Sequence, residues 1–296
     1  MQNTKQEERQ SWIKLVVIFS WLFIYGLLNI VGSSGSTEIN TNDTAMVTLL
    51  YIGQVIGVVV LFIAPSILFA LFWTNKRIHY LGVTTKPNYK TVLLGSMGIL
   101  FALPFINWIA QLNEQMHLPE VLSGVEQWMR ASEVKAMELT ELFTKGTSVS
   151  GLLLNLFVVA LMAALSEELF FRGIIQKVLI ECFSNKHISI WIGAIIFSAF
   201  HMQFFGFFPR MLMGAFLGYL FLWSGSLWPG IIAHFVNNGM AVFLVWLSNR
   251  GVISSDADKI GIDNSQLIYV IISVIIVSGS LYLIYKIEKK RKAAQL

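Results

Sequence analysis

Apolar runs of membrane-spanning length alternate with polar stretches along almost the whole chain. A helix needs about 20 mostly apolar residues to cross a bilayer, and eight segments approach or exceed that length. They run from about Trp12 to Val31, Ala45 to Trp73, Thr91 to Leu112, Val149 through Glu167 and Glu168, Ile188 to Phe208, Met211 to Trp223, Trp228 to Leu247 and Ser265 to Tyr285. Pro65 and Pro104 fall inside the second and third and predict kinks there. Pro209 closes the fifth, and Pro229 suits the first turn of the seventh. The sixth is the shortest and reads equally as a partial span. Gly214 and Gly218 within it form a G-x-x-x-G suited to close helix packing inside the bundle. The predicted fold is all-α: a polytopic membrane bundle of about eight transmembrane helices.

Between the third and fourth spans, from Asn113 to Ser150, the pattern changes. Val125, Trp128, Met129 and Ser132 recur at helical spacing, as do Met137, Leu142 and Phe143 less regularly. This predicts an amphipathic helix lying on the outer membrane surface. The division that follows is residues 1–148 as a three-span region carrying the outer segment (113–148), residues 149–248 as a core, and residues 249–296 as a final span with a basic tail.

Loop charge orients the bundle. Lys76, Arg77, Lys86 and Lys90 follow the second span, Lys177 and Lys186 lie between the fourth and fifth, and KIEKKRKAAQL ends the chain. With eight spans these basic stretches share one side, which places both termini in the cytoplasm. Glu38, Asp43, Asp256, Asp258 and Asp263 fall opposite, diluted by Arg250 and Lys259. Arg210 is the exception, in a short turn between spans.

Composition agrees with the pattern. Of 296 residues 55% are hydrophobic and only 13% charged, with a mean hydropathy of +0.67, against about 25% charged in soluble domains. The net charge of +4 sits in loops and tails and gives no reason to expect a nucleic-acid partner. A single cysteine, Cys182, excludes an intrachain disulfide framework and a multi-cysteine metal site. The first apolar run is too long for a signal-peptide core and reads as a retained helix.

Ionisable groups inside apolar spans are costly and usually functional. The fourth span carries Glu167, Glu168 and Arg172. Glu168 and Arg172 are four residues apart with the acid first, the favourable order for a helical ion pair. Glu167 points about 100° away and has no local partner, which suits a general base. The fifth span sets Phe197 and His201 on one face, and the seventh sets His234 and Asn238 on another. Asn237 points off that face. His201 lies roughly 13 residues, about 20 Å, into its span. Glu167 comes level with it only if the fourth helix continues past Arg172, towards Glu181.

These three motifs, EELFFR (Glu167 to Arg172), FSAFH (Phe197 to His201) and HFVNN (His234 to Asn238), resemble those of the CPBP family of intramembrane proteases. That family, also called Abi, includes CAAX-prenyl-protein endopeptidases and bacteriocin-processing or self-immunity proteins. The resemblance covers roughly Gly151 to Leu247, and no motif position departs from the pattern. It implies an intramembrane endopeptidase acting on a peptide or protein substrate, membrane-associated or lipidated in some relatives. It also implies a multi-pass protein of the bacterial cell (inner) membrane. Glu167 would be the base, His201 would orient the attacking water, and His234 and Asn238 would stabilise the oxyanion. Glu168, Arg172 and Phe197 would support them. Two versions stay open, one without a metal and one in which Glu167, His201 and His234 bind a divalent metal such as Zn²⁺. Two other function classes also stay open: a non-catalytic immunity or scaffold protein of the same fold, and an ion-coupled transporter.

Overall fold

The computed structural model describes residues 2–32, 44–75, 78–254 and 266–294. The loop charges Glu38, Asp43, Lys76, Arg77, Asp256, Asp258, Lys259 and Asp263 lie outside the described residues, as does Ser265. All secondary structure among the described residues is helical. Ten helices frame the molecule: α1 (Gln2–Gly32), α2 (Ala45–Trp73), α3 (Tyr89–Phe101), α4 (Leu103–Glu114), α5 (Ser123–Thr144), α6 (Val149–Phe183), α7 (Lys186–Phe200), α8 (Phe207–Ser224), α9 (Trp228–Asn249) and α10 (Leu267–Ala293).

Five helices are long and apolar enough to cross a membrane, α2, α6, α8, α9 and α10. The pair α3–α4 makes a sixth if counted as one span, bent by 47°. The bend falls at Ala102, with Pro104 in the first turn of α4, where its ring cannot continue the helix of α3. The Phe101 carbonyl at this break accepts a hydrogen bond from Ser273 Oγ of α10 at 2.6 Å. The apolar part of α1, Gln10–Ile24, and α7 are shorter. At 15 residues α7 reaches about 22 Å, short of the roughly 30 Å hydrocarbon core.

Pro65 does not break α2. A wide turn, Val59–Ile63, precedes it, and the Ala64 N–H bonds the Val59 carbonyl. Proline cannot serve the carbonyl four residues back, that of Leu61. Trp21 Nε1 of α1 donates to that oxygen at 3.2 Å. The proline thus creates the acceptor that docks α1.

The segment expected as a fifth span to Phe208 is shorter. α7 starts on an Asn185 cap, whose side chain accepts from the His187 and Ile188 N–H groups, and it ends at Phe200. His201 ends it: Nδ1 takes the Phe197 carbonyl at 2.8 Å, while its own N–H turns to Ser198 and Ala199. Met202 then adopts a left-handed φ of 54°. Pro209 therefore opens the following helix rather than closing this one, and Arg210 stands in the first turn of α8 rather than in a turn between spans. With its preceding turn, the sixth segment becomes a candidate full span, Phe204–Ser224.

α6 is the axis of the bundle. It begins on a Ser148 cap that accepts from the Gly151 N–H, runs 35 residues through Arg172 and ends at left-handed Ser184. The predicted continuation past Arg172 is present. Two stretches, Leu156–Met162 and Glu168–Ile175, are wound as wide π-turns, which are frequent at functional sites. The core gathers Leu169, Phe170, Phe171, Ile174 and Ile175 of α6 with Phe62 of α2 and Phe197 of α7. Small residues bring α8 against α7 and α6. A Cβ at Gly214 would lie 3.2 Å from the Ala194 Cα, and one at Gly218 would lie 3.0 Å from Gln176 Oε1 and Ile190.

α5 is the amphipathic segment. Trp128 meets Phe204 at a tilt, with ring centres 5.4 Å apart, and Phe143 meets Tyr51 at 4.8 Å. Val125 and Met137 remain exposed.

Candidate active site

Where the second π-wound stretch of α6 begins, its two neighbouring acids point different ways. Glu168 is fully buried and faces α9; Glu167 is partly exposed at the edge of the bundle. Glu168 Oε1 accepts from Arg172 Nη1 at 2.7 Å, so the pair expected from i, i+4 spacing forms although the turn is wider than α. The same oxygen lies 3.1 Å from His234 Nδ1. Arg172 Nη2 donates to the Gly214 carbonyl at 3.0 Å, and its guanidinium lies 4.6 Å from the Phe197 ring centre. The pair is therefore more than a clamp within α6: it ties α6 to α8 and orients a histidine on α9. The spacing of Glu168 and Arg172 gave no sign of the His234 contact, because i, i+4 reasoning sees only one helix.

Glu167 Oε2 lies 3.8 Å from His201 Nε2 and 3.8 Å from His234 Nε2. This oxygen is buried and has no hydrogen-bond partner within the protein. Three groups separated by 34 and 33 positions in sequence thus converge on one point. Each imidazole is aimed by its other nitrogen. A carbonyl only accepts, so His201 Nδ1 carries the proton it gives to Phe197. An ionised Glu168 likewise only accepts, which puts a proton on His234 Nδ1. In both rings Nε2 is left facing Glu167.

Phe197 sits at the centre of the arrangement, fully buried. Its ring meets those of His201 and His234 at 5.0 and 6.0 Å and that of Phe171 at 5.1 Å. Its carbonyl holds His201. Asn238 follows His234 by one turn of α9, and its Oδ1 accepts from Asn237 Nδ2 at 3.1 Å. Asn237 thereby commits the Asn238 carbonyl and leaves the Asn238 amide hydrogens to donate. Sequence reasoning set Asn237 aside because it lies off the His234 face; its contact runs along the helix to its neighbour, which facial periodicity does not detect.

Two imidazoles and a carboxylate are a zinc donor set by type. Glu167 Oε2 stands 3.8 Å from each histidine Nε2, wider than the roughly 3.3 Å between tetrahedral ligands at about 2.0–2.1 Å. Among the described residues no group of three or more His, Cys, Asp or Glu is placed to hold a metal ion.

Comparison with known proteins bears on this region. Residues 149–240 match the family described as type II CAAX prenyl endopeptidase Rce1-like. An uncharacterized protein of Bacillus subtilis (strain 168), YpbD, is 28% identical over 86 residues. That alignment covers 28% of this chain and 41% of the relative's own length. No solved structure matches the chain.

Proposed function

We propose that the chain is an intramembrane endopeptidase that hydrolyses a peptide bond with a water activated by Glu167. The observation that carries this reading is the equal 3.8 Å approach of Glu167 Oε2 to both histidine Nε2 atoms. That gap is too long for direct hydrogen bonds and suits a water shared among the three.

The proton inventory assigns the roles. A water has two protons, and the site offers it three acceptors if both histidines are neutral. One histidine must then donate through Nε2. His234 is that residue, because it stands between two carboxylates, 3.1 Å from Glu168 and 3.8 Å from Glu167. Glu167 takes one proton from the water, and neutral His201 accepts the hydrogen bond of the other. The hydroxide adds to the substrate carbonyl carbon, and the oxyanion receives hydrogen bonds from His234 Nε2–H and the Asn238 amide. Collapse breaks the C–N bond, and Glu167 returns its proton to the departing amine. No step passes through a metal.

In this reading residues 149–248 are the catalytic core of a membrane helix bundle with both termini cytoplasmic, and residues 1–148 and 249–296 flank it. The substrate is a peptide or protein segment held at the membrane, and the setting is a bacterial cell membrane. Purified protein in detergent, incubated with a peptide library, tests the proposal. Wild type releases fragments, and Glu167→Ala and His201→Ala do not. Cleavage that survives both substitutions rejects it.

A further inference from the structure

Arg210 stands beside this site, and the hydrolytic steps above do not use it. It occupies the first turn of α8, where the positive end of a helix dipole disfavours a cation. Its guanidinium folds back over the loop that follows His201. Nη1 donates to Gln203 Oε1 at 2.6 Å, and Nη2 donates to the Gln203 carbonyl.

Gly206 lies beneath the guanidinium: a Cβ there would stand 2.5 Å from Arg210 Nη2 and 2.9 Å from Cζ, so a larger residue would displace the mobile end of that side chain. Its Nε is buried and donates to nothing in the protein. Glu133 of α5 and Glu167 are the carboxylates that feel its charge. Among the described residues neither comes within the 4.0 Å of an ion pair with it. Glu133 spends an oxygen instead on the Phe205 N–H at 3.4 Å.

A cation is thus held by Gln203, with Glu133 of α5 and Glu167 the carboxylates that feel its charge, and with donor capacity left over. We propose that Arg210 binds a carboxylate of the peptide substrate and so fixes which bond lies over Glu167. A guanidinium pairs with a carboxylate through two parallel N–H groups, which sets orientation as well as affinity. The carboxylate is either the free C-terminus of the peptide or an acidic side chain. This inference rests on the endopeptidase reading for its consequence and on Arg210 alone for binding.

The test separates the two. A fluorescein-labelled peptide selected for binding from a random library is made in three forms: C-terminal acid, C-terminal amide, and acid with its Asp and Glu replaced by Asn and Gln. Binding is measured by anisotropy on the Glu167→Gln protein, and turnover is measured on the Glu167 protein. The full acid is expected to bind about 10- to 100-fold better than the form lacking the recognised carboxylate, the range that hydrogen bonds to charged groups span. The amide identifies the C-terminus as the source, and the Asn/Gln form identifies a side chain. Arg210→Gln erases the preference through KM with kcat little changed, and Arg210→Lys keeps part of it. Equal binding of all three forms to the parent protein overturns the inference, as does a preference that survives Arg210→Gln. A preference lost in Arg210→Gln without turnover of any form supports the inference while rejecting the endopeptidase.

Discussion

Glu168 Oε1 lies 3.1 Å from His234 Nδ1, and the same oxygen accepts from Arg172 Nη1 at 2.7 Å. One buried oxygen therefore serves a structural cation and a histidine of the candidate site. The adjacent acids should fail in different ways. Glu167→Gln removes the general base and is expected to lower cleavage by about 10² to 10⁴ with thermal stability in detergent unchanged. Glu168→Gln leaves Arg172 buried without its counter-charge, which costs about 3–5 kcal/mol, and frees His234 to rotate. Melting temperature and turnover measured on the same preparations check this. Equal destabilisation by both substitutions would sink the division of labour.

Phe197 should couple the two histidines. Its carbonyl holds His201, and its ring packs against both imidazoles. Phe197→Leu keeps the carbonyl and most of the volume, so the fold should survive while kcat falls because His234 and His201 lose their shared wall. Phe197→Ala is expected to cost about 3–5 kcal/mol through the cavity it opens. Thermal melts of the two variants, set beside turnover of the Leu form, distinguish positioning from packing.

Much of this site was legible in the chain before any fold was known, for a physical reason. Glu167, His201 and His234 are polar groups in apolar helices, and the bilayer makes such groups conspicuous. The i, i+4 spacing of Glu168 and Arg172 likewise announced their pair. What the sequence hid was the behaviour of the backbone around polar side chains. His201 steals the Phe197 carbonyl and ends α7 eight residues before the expected boundary at Phe208. Hydropathy counts Met202 to Phe208 as a continuation because the segment is apolar, and it carries no information about a left-handed Met202. Arg210 was set aside as a loop charge for the same reason. The bond from Glu168 to His234 spans 66 positions, beyond the reach of any single-helix periodicity.

α5, which is not among the candidate spans, offers a pH-dependent contact. The Arg130 guanidinium, then the His117 ring and the Leu118 N–H, hold the Glu126 carboxyl down at about 2, from an ordinary 4.5. A depressed carboxylate contributes its contact fully above the ordinary value and loses it as pH falls through the depressed one. The Leu118 N–H, which donates to Glu126 Oε2 at 2.9 Å, should stay protected from exchange down to about pH 4 and lose protection towards pH 2. Glu126→Gln should remove that pH dependence. Amide exchange in leucine-labelled protein reads it directly, and loss of protection already at pH 5 would contradict the assignment.

The docking of α1 on α2 can be tested as a pair. Pro65 has no N–H for the Leu61 carbonyl, and Trp21 Nε1 supplies one at 3.2 Å. Trp21→Phe keeps the aromatic bulk and removes the donor, so it should cost about 1 kcal/mol, the net worth of one hydrogen bond. Pro65→Ala restores a backbone N–H that can serve Leu61 within α2. In that background the carbonyl no longer depends on Trp21, and Trp21→Phe should cost markedly less. A double-mutant cycle on thermal or denaturant stability measures the difference. Strict additivity would mean that the indole bond and the proline are unrelated, and that α1 is held by its other contacts, the packing of Leu15 and Ile18 and the Lys14–Glu181 ion pair among them.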